Sequence, residues 1–321
     1  MKVPSAIRNL YEELKERYIL LSERVQPLMI SKKDYRWHYE GRIKTLESYA
    51  LKLETGRFPS GIEDFFACTL VVENLQTRSK AEALICNEFV LIERRPKRDN
   101  FTHKGADAFP FDDLRLYVKW KDPEGAKPSG LTDLTFEVQI KTFLQHAWAV
   151  ATHDMIYKSD TKNWAKDRIA FQIKAMLEHA EISILEADTI ASSPALNKTN
   201  RATKRCSKII NIVHKFWPSD RLPADLLRLA DNVSALLSAL DLGEQELEII
   251  IEAENRVGRG SNAMNLSPFG AILQSIINQK PDDIANYLTA TEQTYKIIVT
   301  KDIEFPSGIE VTKSKNACFL G

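Results

Sequence analysis

The stretch T135-F-E-V-Q-I-K-T-F-L-Q-H-A-W-A-V-A-T-H-D-M-I-Y-K158 decides how the rest of this chain is read. Phe136, Val138 and Ile140 alternate with Glu137, Gln139 and Lys141. That is the period of a strand with one apolar face. The opposite face carries a carboxylate, an amide and an ammonium in a row. From Phe143 the pattern becomes helical and runs to Tyr157. His146 and His153 share one helix face, with Tyr157 a turn beyond. Ala147, Trp148, Val150 and Ala151 are expected to supply most of the packing surface. Two readings fit: a core strand feeding a core helix, or one wall of an active site.

Working outward, residues 5–27 read as a helix, and a second helix is expected from Tyr35 to Leu53, ending at T55-G-R-F-P59. I62-E-D-F-F-A-C-T-L-V-V72 is apolar on both faces beyond its start, as a central strand would be. A helix from Lys80 to Glu88 and a strand from Phe89 to Ile92 follow. Then come the strand L114-R-L-Y-V-K-W120, the strand of the opening stretch, and helices over Phe143–Tyr157 and Trp164–Ile190. The style changes at A191-S-S-P-A-L-N-K-T-N200. Helical patterns at 204–215, 223–239, 244–256, 267–278 and 282–297 lie beyond it, and the tail F305-P-S-G-I-E-V-T-K-S-K315 either adds one strand or stays loose. The division expected is an α/β region over 1–190 and a mostly helical region over 191–321.

A length of 321 residues suffices for one large or two ordinary cores. Lysine plus arginine and aspartate plus glutamate are 44 each, so net charge selects no partner. Four scattered cysteines without a C-x-x-C pair argue against a disulfide scaffold or structural zinc and for a reducing, cytoplasmic setting. No apolar run reaches membrane-spanning length. The spacing of His146 and His153 is not H-E-x-x-H, and no Walker A, dinucleotide or G-x-S-x-G signature occurs.

What remains is a pair of carboxylates at expected strand positions, Asp64 and Glu137. On neighbouring strands they would suit Mg²⁺ held against a triphosphate. Ahead of Asp64, R42-I-K-T-L-E-S-Y-A-L-K52 spaces Lys44, Ser48 and Lys52 by four, with Arg42 nearby, offering charge-assisted donors to phosphates. A solvated helix exterior is the plainer reading of the same spacing. R201-A-T-K-R-C-S-K208 with H214-K-F-W217 suggests nucleic-acid contact or, more simply, a solvated helix start. E93-R-R-P-K-R98 reads equally as a nucleotide-phosphate contact or a charged loop.

Taken together, R42-I-K-T-L-E-S-Y-A-L-K52, I62-E-D-F-F-A-C-T-L-V-V72, F136-E-V-Q-I-K-T142 and H146-A-W-A-V-A-T-H-D-M-I-Y-K158 resemble the synthetase domain of the RelA/SpoT alarmone-synthetase family. The resemblance covers residues 35–160. It implies a nucleotidyltransferase-like α/β (α+β) fold, a mixed sheet flanked by helices. It implies a cytoplasmic, Mg²⁺-dependent pyrophosphokinase of the stringent-response kind, moving the β,γ-pyrophosphoryl group of ATP to a ribose 3′-hydroxyl, usually of GDP or GTP. By position, Arg42, Lys44, Ser48 and Lys52 would line the ATP phosphates. Asp64 and Glu137 would hold Mg²⁺, and Glu137 would activate the acceptor. Gln139, Lys141 and His146 would serve the acceptor or phosphate side, while His153, Tyr157 and Lys158 would brace the strand–helix corner.

The sequence also departs from the family pattern. Ala67 and Thr69 stand where a glycine and an arginine are usual, and Val150 and Thr152 where glutamates are frequent. The G-Y-R-S-x-H acceptor segment is replaced by A108-F-P-F-D-D-L-R-L-Y117, where Phe109 or Phe111 offers an aromatic face without tyrosine's hydroxyl. These departures leave three outcomes open: a guanine alarmone synthetase, a toxin-like member acting on an adenine nucleotide or a tRNA 3′ end, or a degenerate nucleotide-binding or regulatory module. The helical region would regulate the first, neutralise it as a fused antitoxin, or bind an activating protein. No membrane partner is expected, and self-association is compatible with this reading.

Overall fold

The computed structural model describes residues 2–56, 62–99, 105, 109, 113–125, 127–157, 163–306 and 311–320, with the side chains of 153–157 outside that description. No helix among the described residues is long and apolar enough to cross a membrane. The chain forms two compact units, Met1–Leu196 and Asn197–Gly321.

In the first unit, β1 (His38–Ile43), β2 (Phe66–Val72), β3 (Val90–Arg95), β4 (Leu114–Lys119) and β5 (Thr135–Thr142) form one mixed sheet in the order β1-β2-β5-β4-β3. Only β2 and β5 run parallel. The alternation read in β5 is the organising fact. Phe136, Val138 and Ile140 are fully buried on one sheet face, with Phe66, Cys68, Leu70, Leu114, Leu116 and Val118 from the neighbouring strands. Each such side chain contributes roughly 1.5–3 kcal/mol of burial. The other sheet face is the polar one. The expected mixed sheet flanked by helices is therefore present.

Helix α1 (Ser5–Lys32) packs through Tyr11, Tyr18, Leu21, Val25 and Met29. It passes through Pro27 because the fully buried Val25 and Met29 carry the apolar stripe across it. Leu10 is 45% exposed and is no part of that stripe. The rings of Tyr11, Tyr18 and Tyr49 surround Phe65 at 4.8–5.6 Å or make contact with one another there, anchoring the residue next to Asp64.

The helix expected over Tyr35–Leu53 is two elements. His38, Glu40 and Arg42 are exposed while Tyr39, Gly41 and Ile43 turn inward, so this segment is β1. Gly41 fits closely there, since a Cβ would meet the Tyr39 hydroxyl at 3.1 Å and Gln26 at 3.3 Å and would have to push those side-chain ends aside. Helix α2 (Leu46–Glu54) starts only after the Thr45 side chain accepts a bond from the Ser48 amide. Asp64 precedes β2 in a turn and is not a strand residue. Helix α3 (Arg78–Glu88) leads into β3.

Helix α4 (Phe143–Tyr157) has the bounds read from the sequence. Its start is a reciprocal cap: the Gln145 amide donates to Thr142 Oγ1 at 3.1 Å, and the Thr142 amide donates to Gln145 Oε1 at 2.9 Å. The packing face is not the one expected, for Ala147, Val150 and Ala151 are exposed, while Gln145 and Thr152 are buried. The Trp164–Ile190 helix is broken at Glu186 into α5 (Trp164–Leu185) and α6 (Ala187–Ala191).

The second unit holds α7 (Arg201–Phe216), α8 (Leu226–Ala239), α9 (Glu244–Arg256), α10 (Pro268–Gln279) and α11 (Pro281–Thr289) around its own core. The last helical pattern overran: Ile297–Thr300 is β6, paired in parallel with β7 (Ala317–Leu320), which lies beyond the tail segment 305–315 expected to add one strand or stay loose. Glu254, fully buried, accepts from Arg259, Asn278 and Gln279. The first and largest of these, the Arg259 guanidinium, holds its carboxyl down at about 2, against the opposing effect of burial. The basic patch on α7 is largely neutralised, because Arg205 and Lys208 pair with Glu244 and Lys215 pairs with Glu248. The solvated-helix reading of that patch is the one the packing favours.

Candidate active site

Cross-strand register builds the polar face as rows. One row runs Arg42, Ala67, Glu137, Tyr117, Glu93, and the next runs Glu40, Thr69, Gln139, Arg115, Arg95. Lys141 stands one step further along β5, opposite Val71. Short side chains at Ala67 and Thr69 leave a depression between the β1 and β5 rows. Helix α4 closes one side of it, giving a cavity of about 510 Å³ lined by Glu40, Gly41, Arg42, Ala67, Thr69, Gln139, Lys141, His146, Ala149 and Val150. Val150, out of the core, is thus a wall of the cavity.

Glu137 is 3% exposed and remains bonded on both oxygens. The Tyr117 hydroxyl donates to Oε2 at 3.1 Å, and the Gln139 amide donates to Oε1. Arg95 covers Tyr117, with its guanidinium 4.2 Å from the ring centroid and Nη1 3.0 Å from the hydroxyl oxygen. Glu93 and Glu63 hold that guanidinium from the other side at 2.7 and 3.2 Å. Burial and then the Glu137 charge push the Tyr117 hydroxyl up to about 12, so it stays protonated and able to donate.

A second cluster lies where β1 leads into α2. Lys44 Nζ is 3.0 Å from Asp64 Oδ2 and Lys52 Nζ is 2.6 Å from Oδ1. Burial acts to raise the Asp64 carboxyl, but the bonds from Lys52 and Lys44 outweigh it and hold it below the usual carboxylate range. The Lys44 amide donates to the Phe65 carbonyl at 2.8 Å, and the Tyr11 hydroxyl donates to the Lys44 carbonyl at 2.9 Å. Both bonds fix Lys44 two residues on from Arg42, hence on the same side of the extended chain. Burial lowers both Lys141 and His146 below their ordinary values. Asp113 lies 4.0 Å from the Lys141 ammonium.

Residues 41–162 match the family model described as "Region found in RelA / SpoT proteins". That span is a RelA/SpoT region. No curated protein matches the chain. Among solved structures, the chain is similar to small alarmone synthetase 1 from Bacillus subtilis bound to its product pppGpp, at 16% identity over 59% of this chain and 96% of that one, TM-score 0.39. It is similar to a GTP pyrophosphokinase family protein from Streptococcus pneumoniae, at 17% identity over 60% and 91%, TM-score 0.37. A third is small alarmone synthetase 2 from Bacillus subtilis, at 14% identity over 58% and 95%, TM-score 0.39.

Within the RelA/SpoT region, Arg42, Gln139, Lys141 and His146 line one cavity, and Lys44, Lys52 and Asp64 form one ion cluster. Ser48 sits in the cap of α2, its amide donating to Thr45 Oγ1 and its exposed hydroxyl accepting from it, which leaves the hydroxyl proton to donate. Phe109 is half-buried, whereas Phe111 and Lys158 lie outside the described residues, as do the side chains of His153 and Tyr157. Sequence reasoning missed Tyr117 and Glu40 beside this site, and read Arg95 only as part of the charged run E93-R-R-P-K-R98. A signal existed for Tyr117, since Arg115, Tyr117 and Lys119 alternate in β4 as Glu137, Gln139 and Lys141 do in β5. Only the antiparallel register sets Tyr117 opposite Glu137.

Proposed function

We propose that the RelA/SpoT region transfers the β,γ-pyrophosphoryl group of ATP to the 3′-hydroxyl of a guanine nucleotide. The observation that carries this is Glu137, a buried carboxylate bonded to Tyr117 and Gln139, in the same sheet row as Arg42. Arg42, Lys44 and Lys52 are the cations for the ATP phosphates. Such charge-assisted donors act most strongly where charge builds up during transfer. Glu137 accepts the proton of the 3′-hydroxyl, whose oxygen attacks the β-phosphorus. The bond from that phosphorus to the α-phosphate oxygen breaks, and AMP leaves. Gln139, Lys141 and His146 line the cavity for nucleotide contacts.

Among the described residues no group of three His, Cys, Asp or Glu gathers to cage an ion. Mg²⁺ commonly takes one or two carboxylates with phosphate oxygens and water, so Asp64 suits it by donor chemistry, and Glu137 would do so by giving up its bond from Tyr117 or Gln139. When bound, the ion would neutralise phosphoryl charge. Asp64 would then exchange part of its contact with Lys44 and Lys52 for the ion, freeing ammoniums for phosphate.

The test is transfer of labelled pyrophosphate from ATP across a panel of GDP, GTP, adenine nucleotides and tRNA, with Mg²⁺ and a cell extract as a source of activators. Transfer to a guanine nucleotide that disappears in Glu137→Gln is the expected result. Transfer only to adenine nucleotides or tRNA replaces the acceptor. No transfer to any of them makes this a nucleotide-binding or regulatory module.

A further inference from the structure

The charged run E93-R-R-P-K-R98 enters the site through Arg95. Glu93 and Arg95 share the polar face of β3, opposite Tyr117 and Arg115 of β4. Arg94, between them, turns to the other face and bonds to Glu82 of α3. Every nitrogen of the Arg95 guanidinium has a separate task. Nε and Nη2 donate to the two oxygens of Glu93, each at 2.7 Å, and Nη2 also reaches Glu63 at 3.2 Å. Nη1 is left for the Tyr117 hydroxyl, 3.0 Å away. A planar fork gripped along one edge by a carboxylate cannot turn freely, so Glu93 sets where Nη1 points. All these groups belong to the first unit.

The inventory of donors and acceptors then fixes the direction of the phenol proton. A guanidinium has N–H donors and no acceptor, whereas a phenol has a single proton and oxygen lone pairs. At the 3.0 Å contact Arg95 therefore donates and Tyr117 accepts. The Tyr117 proton is left for Glu137 Oε2 at 3.1 Å, an oxygen that only accepts while the carboxylate is ionised. Without Arg95 the hydroxyl regains a choice, since its proton can rotate about the C–O bond and leave Glu137. The bonds run outward from Glu137 through Tyr117 and Arg95 to Glu93 and Glu63, and each group is held by the next. Lysine would not reproduce this. A single ammonium nitrogen cannot grip Glu93 along an edge, lie flat over the Tyr117 ring at 4.2 Å and donate to its hydroxyl together.

We propose that Arg95 is a positioning residue: acting through Tyr117, it directs the phenol proton to Glu137 and so holds the carboxylate that takes the acceptor proton. Its effect on transfer rests on the function proposed above, whereas the direction of the phenol proton does not.

The test uses the full chain labelled with ¹³C at tyrosine Cζ and glutamate Cδ. The signals of Tyr117 and Glu137 are assigned by their loss in Tyr117→Phe and Glu137→Gln. Both signals should move in Arg95→Gln and in Arg95→Lys. With Tyr117→Phe already in place, Arg95→Gln should leave the Glu137 signal where it is. Pyrophosphate transfer is measured alongside, to the acceptor that the wild-type chain uses. In both Arg95 variants kcat should fall about 5- to 10-fold, with KM for ATP and acceptor changed less than about 2-fold. Added to Tyr117→Phe, Arg95→Gln should lower kcat by less than about 2-fold more, because its route to Glu137 is already cut. A Glu137 signal unmoved in the Arg95 variants, or moved equally with and without the Tyr117 hydroxyl, overturns the proposal. So does full kcat in Arg95→Lys, or a raised KM with kcat kept, which would make Arg95 a phosphate contact. Absence of transfer by the wild-type chain refutes the proposed function alone, and the two signals still decide the role of Arg95.

Discussion

Replacing Tyr117 with phenylalanine removes one hydroxyl and nothing else from the floor of the site. The ring remains beneath Arg95, and Gln139 still donates to the other oxygen of Glu137. What is lost is the donor 3.1 Å from Glu137 Oε2, on a carboxylate only 3% exposed, together with the acceptor 3.0 Å from Arg95 Nη1, whose guanidinium keeps Glu93 and Glu63. A hydrogen bond to a charged group contributes about 1.5–3 kcal/mol, and its length puts this one toward the lower end. If Glu137 takes the acceptor proton, losing that constraint should reduce kcat about 10- to 30-fold. The KM for ATP should change less than about 2-fold, because Lys44, Lys52 and Asp64 lie in a separate cluster. The assay is steady-state pyrophosphate transfer, with thermal unfolding in parallel. Unfolding should shift down by about 2–4 °C per kcal/mol lost. A variant with lowered stability but wild-type kcat would show that Tyr117 only packs, and the reasoning would fail. An equal rise in KM would place its effect in ground-state binding instead.

Three further expectations follow from the geometry. Asp64→Asn leaves Lys44 and Lys52 without their shared anion, so ATP should bind about 3- to 10-fold more tightly without Mg²⁺, while Mg²⁺-dependent transfer falls at least 100-fold. Titration calorimetry that found weaker metal-free binding would refute this. Gly41→Ala should destabilise the first unit by about 1–3 kcal/mol, since the added methyl meets the Tyr39 hydroxyl and Gln26; an unchanged melting curve would contradict it. In the second unit, Glu254 titrates at about 2 against its ordinary 4.5. A depressed carboxyl stabilises the fold fully above its unfolded value and loses that contribution as pH falls toward its folded one. Discounted for the half-exposed Arg259, the effect is about 2–3 kcal/mol between pH 4.5 and 2. Hydrogen exchange in α9 and α10, corrected for intrinsic rate, should lose protection over that window, and constant protection would rule it out.

Much of the site was legible before any tertiary contact was known, and the failures have definite causes. The segment R42-I-K-T-L-E-S-Y-A-L-K52 read as one helix because Lys44, Ser48 and Lys52 recur every four residues. Its first part is strand all the same, because the inward Tyr39, Gly41 and Ile43 pair with β2. Lys44 and Lys52 still meet, since Asp64 rather than a shared helix face brings them together. Ser48, spaced like a phosphate donor, lies in the first turn of α2, where its amide is capped by Thr45. Val150 and Ala147 looked like core, yet α4 turns Gln145 and Thr152 inward.

By itself the sequence determined the local alternatives: the two-residue period of 135–142 and the helix from Phe143 through Tyr157. Those features arise within a few residues, where backbone geometry and side-chain chemistry act together. The tertiary structure decided which polar groups share a site. Arg42, Glu137 and Tyr117 lie far apart in the chain and come into one row only through the pairing of β1, β2, β5 and β4. A shift of one residue in any of those pairings would turn a side chain to the opposite sheet face. Burying Phe136, Val138 and Ile140 on one face excludes that shift, and so the apolar residues of the opening stretch hold its chemical residues in place.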